Sequence, residues 1–315
     1  MRLAILGCGT MAMNILEGLP KTEVPKRIKH ITACVRSEAS AARVARLLQR
    51  INPDIPVVAG GNVGVVKRSD AVLLSHKPDQ LQQVLGAKGM ADALHGKKII
   101  SILAGVTTPQ ISSVLSASRD TPHLTKAQAR ELFFGGPWPS EREAKDEFDI
   151  IRAMPNIGAR KRQSMTLISD PQAASADLVD FTTWLFERVG RVEQVPEAAY
   201  DAATVLNGAV YALTTVGVDG LVNGAVQQGL SHETAVAVIS QCFKGLGVML
   251  QEGQHPAVLR DSVSPPGGAT MAGLVELERR GVRAAYADAI IKATGHAKRM
   301  ERSPTDKVWR RAMGR

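Results

Sequence analysis

Pro265, Pro266, Gly267, Gly268, Ala269 and Thr270 form the stretch of this chain best suited to seat a small anion. The prolines fix φ, withdraw two backbone donors and stop the helix before them. Gly267 and Gly268 allow a tight turn and close approach by a ligand. A helical pattern follows Thr270, carrying Leu274, Leu277, Glu276 and Glu278. Amides at such a helix start lie at the positive end of its dipole, where a carboxylate is stabilised. The Thr270 hydroxyl would add a further donor. The same residues also fit an ordinary interhelical turn with Thr270 as N-cap.

A second constellation opens the chain. Arg2 to Leu6 is an apolar run of strand length, and Gly7-Cys8-Gly9-Thr10-Met11-Ala12 follows directly. Met13, Leu16 and Leu19 continue at helical spacing. This is Gly-x-Gly-x-x-Ala between a strand and a helix, the context that a dinucleotide fingerprint requires. Gly7 makes the turn, Gly9 lets backbone approach a pyrophosphate, and Ala12 packs helix on strand. The next strand, Ile31 to Val35, ends at Arg36 and Ser37, where an NAD enzyme usually has an acidic residue for the ribose. A guanidinium there grips a 2′-phosphate, so NADPH is the expected cofactor and NADH a weaker one. A solvated strand end is the plainer account of Arg36.

The elements that position these residues read as βα units up to Val195 and as continuous helix beyond Pro196. Strands are expected at Ile55–Ala59, Ala71–Ser75, Lys97–Leu103, Asp149–Met154, Met165–Ser169 and Val192–Val195. Helices are expected at Ser40–Arg50 and Asp177–Val189, the latter capped by Gly190, and then over 197–228, 231–252 and 270–300. Fold class is therefore α/β. Residues 1–195 form a Rossmann-type dinucleotide-binding domain and 196–315 an all-helical domain for substrate and dimerisation. Apolar helices this poor in charge suggest burial against a second subunit.

Composition sets the outer limits. A chain of 315 residues with 44% hydrophobic and 22% charged residues is ordinary for a globular protein of two domains. The formal charge of +9 comes from scattered Lys and Arg without aromatic interleaving. It suits anionic small molecules and gives no nucleic-acid reader motif. Three separated cysteines fit reduced thiols and a cytoplasmic location. No charge-free apolar run reaches about 18 residues, so no membrane span is expected. The histidines show no i, i+4 pairing, so no metal is expected.

The double-glycine stretch resembles the signature of the pyrroline-5-carboxylate reductase family, Val-x-Ser-Pro-Gly-Gly-x-Thr followed by a Leu- and Glu-containing helix. Val263, Pro266, Gly267, Gly268, Thr270, Leu274 and Glu278 carry the match. Pro265 departs from it, standing where the family usually has Ser or Thr. Asn62, the His76-Lys77-Pro78 turn, the Ala104-Gly105 turn and Met154-Pro155-Asn156 match further family positions. The resemblance implies that Asn62, Lys77, Pro78, Ala104, Gly105 and Asn156 border the cofactor. His76 occupies a usually apolar place.

It further implies reduction of a cyclic imine carboxylate, 1-pyrroline-5-carboxylate, to proline, in a homodimer joined by helices and open to higher assembly. The carboxylate would lie on the amides of Gly267, Gly268 and Ala269, and Thr270 would hydrogen-bond to substrate. Relatives carry a Ser-Gly-Ser-Gly-Pro run where this chain has Asn207-Gly208. Asn207 is expected to offer its amide to substrate instead. Pro265 and Asn207 leave room for a different cyclic imine, or for an NADPH-binding protein without turnover. An insertion at about 118–148 departs from the family and reads as a surface excursion, a lid or an oligomer contact.

Overall fold

The computed structural model describes residues 1–20, 27–120, 148–169 and 171–302. Most of the insertion, 121–147, lies outside these described residues. The described chain forms two compact units, Met1–Asn207 with the end of the last helix from His296, and Gly208–Gly295.

The first unit is built on one eight-stranded sheet in the order β3-β2-β1-β4-β5-β6-β7-β8. The strands are β1 (Arg2–Leu6), β2 (His30–Val35), β3 (Val57–Ala59), β4 (Ala71–Leu74), β5 (Lys98–Ser101), β6 (Asp149–Met154), β7 (Ser164–Ser169) and β8 (Gly190–Val195). β1 to β6 run parallel, β7 is antiparallel to β6, and β8 is parallel to β7. The order reverses between β1 and β4, the switch point at which doubly wound sheets open a crevice beyond their carboxyl ends.

Both faces of the sheet are covered. Leu3 and Ile5 of β1 pack with Ile15, Val44, Leu48 and Phe181 on one side. Ala4 and Leu6 pack with Val66, Leu94 and Ile111 on the other. Burial on both faces is why the central strands read as unbroken apolar runs. The first layer comprises α1 (Thr10–Gly18), α2 (Glu38–Ile51) and α7 (Ala176–Glu187); the second comprises α3 (Asn62–Lys67), α4 (Leu81–Leu85), α5 (Met90–Leu94) and α6 (Thr108–Asp120).

Several boundaries differ from the sequence expectation. β3 begins only after Pro56, which has no N–H for the ladder. α7 ends at Glu187, and Gly190 opens β8 instead of capping the helix. A side chain on Gly190 would lie 2.0 Å from the Ser164 carbonyl oxygen, so close strand approach is what requires the glycine.

In the helical part, α8 (Glu197–Gln227), α9 (His232–Gln251), α10 (Pro256–Ser262), α11 (Ala269–Arg279) and α12 (Val282–Arg302) follow one another. The expected single helix over 270–300 is two. Gly281 adopts φ +65 and separates α11 from α12. Ser231 caps α9 as expected, its hydroxyl accepting from the Thr234 amide at 3.1 Å.

α8 and α9 are long and apolar enough, by length and composition alone, to cross a membrane. The expectation of no span rested on charge-free runs, and these helices carry a few charged residues.

Candidate active site

β1 delivers the chain to Gly7 at φ +91. The Gly7 and Cys8 amides donate to the Cys34 carbonyl at 3.0 and 3.2 Å, pinning the turn to the end of β2. A Cβ on Gly7 would sit 2.5 Å from His76 Cα and 2.6 Å from His76 N. The Ser75 hydroxyl donates to the Gly7 carbonyl from the same flank. β4 thus passes so close that only glycine fits.

Gly9 is different. It is the N-cap of α1 with φ −89, and a Cβ there would meet nothing within 4 Å. Protein packing does not require this glycine, whereas a ligand approaching from outside would. The first-turn amides of Thr10, Met11 and Ala12 have no intrahelical acceptor. Ala12 is buried against the core and Thr10 is exposed.

The other expected cofactor residues gather at this edge, each in the segment that follows a parallel strand. Arg36 follows β2, is exposed and takes no ion pair among the described residues. Ser37 caps α2, its hydroxyl accepting from the Ser40 amide at 3.3 Å, so its oxygen already serves the helix. Asn62 follows β3 as the first residue of α3, and its Oδ1 is buried without a partner. Lys77 and Pro78 follow β4, with Lys77 exposed at the start of a short 3₁₀ turn. Ala104 and Gly105 follow β5, with Gly105 at φ +69. Asn156 follows β6.

His76 is buried beneath this edge. Its Nδ1 lies 2.9 Å from the Lys77 carbonyl, which can only accept, so Nδ1 carries the proton and Nε2 is a bare lone pair. Nε2 has neither exposed surface nor partner. Burial holds the His76 pKa below its ordinary 6.5, against weaker opposing effects of the Lys77 carbonyl and Asp79. This histidine supports the Gly7 turn from below.

Asn207 does not present a free amide. Its Nδ2 donates to the Met154 carbonyl at 2.8 Å and the Met165 carbonyl at 3.2 Å. Its Oδ1 accepts from Asn156 Nδ2 at 2.7 Å. The expected substrate contact through that amide is therefore replaced by three protein contacts.

One residue near this network escaped sequence reasoning. Arg152 is buried in β6, pairs with Glu197 at 2.6 Å and lies 4.5 Å from the centre of the Tyr200 ring. Its signal was a lone cation within the apolar run of β6.

The second unit carries the double-glycine turn. The Gly268 amide donates to the Pro265 carbonyl at 3.0 Å, closing a four-residue turn. Pro266 and Gly267, at φ +72, are its central residues, the pattern of a type II turn. Gly268 is the N-cap of α11, so Thr270 is the second helical residue and not the cap. The amides free in the first turn are those of Ala269, Thr270 and Met271. Gly268, expected to offer its N–H to a carboxylate, uses it to close the turn. Thr270 is exposed. Ser264 is buried just before the turn, and its hydroxyl donates to the Arg260 carbonyl at 2.7 Å.

The doubly wound sheet with a glycine turn at its switch point, first-turn amides and a free cation after β2 defines a dinucleotide-dependent oxidoreductase. Residues 2–105 match the family model described as NADP oxidoreductase, coenzyme F420-dependent. Residues 197–300 match the model for pyrroline-5-carboxylate reductase dimerisation.

Pyrroline-5-carboxylate reductase of Lophium arboricola is 35% identical over 93% of this chain and 91% of its own length. That of Neurospora crassa is 34% identical over 93% and 90%. The chain belongs to the pyrroline-5-carboxylate reductase family. Among solved structures, a pyrroline-5-carboxylate reductase from Coxiella burnetii superposes with TM-score 0.73 at 25% identity, covering 95% of this chain and 98% of that one. The Plasmodium falciparum pyrroline carboxylate reductase, solved with NADP bound, shares the fold at TM-score 0.71 and 21% identity, covering 96% and 98%.

Proposed function

We propose that this protein reduces the C=N bond of 1-pyrroline-5-carboxylate with NADPH, yielding proline. The observation that carries this reading is the Pro266-Gly267-Gly268-Ala269-Thr270 turn, which opens α11 with free amides in a chain otherwise built to hold a dinucleotide. NADPH fits the β-sheet edge: Gly9 leaves open space that packing does not need, and Arg36 has no competing ion pair among the described residues. Gly7, Gly9 and the amides of Thr10, Met11 and Ala12 would hold the pyrophosphate. Arg36, with Ser37 beside it, would hold the 2′-phosphate. Asn62, Lys77, Pro78, Ala104, Gly105 and Asn156 would border the rest of the cofactor.

Bound NADPH supplies the hydride. The chain's own contribution is orientation. The substrate carboxylate lies on the Ala269, Thr270 and Met271 amides, with Gly267 and Gly268 shaping the turn. The Thr270 hydroxyl hydrogen-bonds to substrate and favours its protonated iminium form. No strong acid is needed, because an imine nitrogen takes a proton from water near neutral pH. The working form is a homodimer through the C-terminal helices, in the cytoplasm. Cys8, Cys34 and Cys242 are free thiols, which suits that compartment.

A second reading keeps the chemistry and changes the imine. Pro265 removes a hydroxyl that relatives usually have, and Asn207 has its amide occupied. Steady-state NADPH oxidation against a panel of cyclic imines separates the cases. Turnover with 1-pyrroline-5-carboxylate supports the first, turnover only with other imines supports the second, and tight NADPH binding without turnover refutes both.

A further inference from the structure

The first turns of α8 lie by the end of β6, just before Asn156, and they are held there by polar groups. Glu197, Tyr200 and Asn207 recur at helical spacing on one face of α8. The first two engage Arg152 of β6. Asn207 reaches the ends of both neighbouring strands through the Met154 and Met165 carbonyls. β6 and β7 pair antiparallel as far as Met154 and Leu167, and the chain beyond Met154 turns away into Pro155 and Asn156. Asn207 therefore clamps the place where the strands part.

The contacts form a directed chain. The Gly158 amide donates to Asn156 Oδ1 at 2.9 Å. Asn156 Nδ2 donates to Asn207 Oδ1 at 2.7 Å, and Asn207 Nδ2 donates onward to two carbonyls. The amide orientation follows from its partners: carbonyls only accept, so the nitrogen of Asn207 must face them and its oxygen must face Asn156. Asn207 and Asn156 are 7% and 6% exposed, so water does not substitute for a lost partner at either. A side chain with two donors and one acceptor at this length can only be Asn. A serine has one donor, and an aspartate presents oxygen to both carbonyls.

We infer that Asn207 is a positioning residue of the reduction, one that fixes the Met154-Pro155-Asn156 turn against the cofactor and does not contact the imine. The inference rests on the proposed reading that this turn borders NADPH. Its consequence is a division of effects: loss of Asn207 disturbs cofactor binding and turnover, and leaves the affinity for the imine largely alone.

The test uses the full chain with Asn207→Asp, which keeps the size and reverses the polarity toward the carbonyls, and Asn207→Ser, which keeps one donor. NADPH affinity is measured by titration of cofactor fluorescence, and kcat and KM with 1-pyrroline-5-carboxylate. Amide exchange at Gly158 is followed without cofactor. Asn207→Asp is expected to weaken NADPH by about 10-fold or more, as for a buried hydrogen bond turned repulsive, and to lower kcat. KM for the imine should move by less than about 3-fold. Gly158 exchange should accelerate in both variants, with Asn207→Ser intermediate throughout.

Two results overturn the inference alone, each in a wild type that binds NADPH and turns over. In one, the variants melt lower but keep the wild-type NADPH affinity and kcat, which would make Asn207 merely structural. In the other, KM for the imine rises while NADPH affinity is unchanged, which would return it to the substrate. Failure of the wild-type protein itself to bind NADPH overturns the cofactor reading together with the inference.

Discussion

Gly7 and Gly9 are two residues apart, yet the structure gives them opposite reasons for lacking a side chain, and this makes a sharp test of the cofactor edge. At Gly9 a methyl group meets no protein atom within 4 Å and φ is −89. Gly9→Ala should therefore cost only the difference between Gly and Ala as N-cap, about 1 kcal/mol or less, and shift Tm by about 2 °C at most. On the proposed reading, the same methyl would stand where the pyrophosphate approaches α1. Losing one or two charge-assisted amide contacts there, worth about 1.5–3 kcal/mol each, should raise the NADPH Kd by about 10- to 100-fold or more.

Gly7→Ala should behave in the reverse order. Its Cβ would lie 2.5 Å from His76 Cα at φ +91, against backbone that cannot rotate away. Left-handed strain of about 1–2 kcal/mol and overpacking of about 1–3 kcal/mol add, so Tm should fall by about 5–10 °C. Thermal melts and NADPH titrations of both variants decide the matter. A Gly9→Ala protein that keeps wild-type NADPH affinity would refute the assignment of this turn to the pyrophosphate.

Three further outcomes follow from the same geometry. Arg36→Ala should weaken NADPH far more than NADH, and equal losses for both in parallel titrations would remove the 2′-phosphate role. Thr270→Ala should lower kcat/KM by about 10- to 1,000-fold, as for a substrate contact worth roughly 1.5–4 kcal/mol, and steady-state rates matching wild type would take Thr270 out of the site. Burial lowers the His76 pKa from 6.5, so its folded-state contribution is complete above that value and is lost as pH falls through the lowered pKa. Tm should consequently drop more steeply as pH falls below about 6.5 in wild type than in His76→Val, and parallel slopes would contradict it.

What the sequence reveals and what it hides divides by distance along the chain. The Gly7 turn, the start of α1 and the Ser231 cap of α9 are decided within a few consecutive residues, so residue type and spacing suffice to read them. The turns bearing Asn62, Lys77, Gly105 and Asn156 could be located because each directly follows an apolar strand run. Asn207 could not be read this way. Its partners Asn156, Met154 and Met165 lie 51, 53 and 42 positions earlier, and no local pattern announces them. Arg152 and Glu197 are separated by 45 positions and posed the same difficulty.

At the double-glycine turn the Gly268 amide closes the turn to Pro265, and the first-turn amides left open are those of Ala269, Thr270 and Met271, which spacing alone does not reveal. The break at Gly281 was hidden because an apolar periodicity continues across it, and a single left-handed glycine is enough to end one helix and start another.

The helices beyond Asn207 show why composition spoke more clearly about assembly than about location. Among the described residues of 208–295 only Val222, Ala235 and Ser264 are buried, while Val216, Leu221 and Ile291 are 73, 58 and 68% exposed. A segment that buries so little has no core of its own to offset the entropy of ordering it. Such an apolar exterior is what a membrane span shows, and it is also what half of an interlocked dimer shows. The difference lies in what the chain carries alongside. This segment bears the Thr270 turn, and residues 197–300 match the pyrroline-5-carboxylate reductase dimerisation domain. A second copy supplies an apolar surface of matching chemistry without lipid. The free energy that makes this part of the chain fold must then come largely from association, which ties the order of the Pro265-to-Thr270 turn to the presence of a partner.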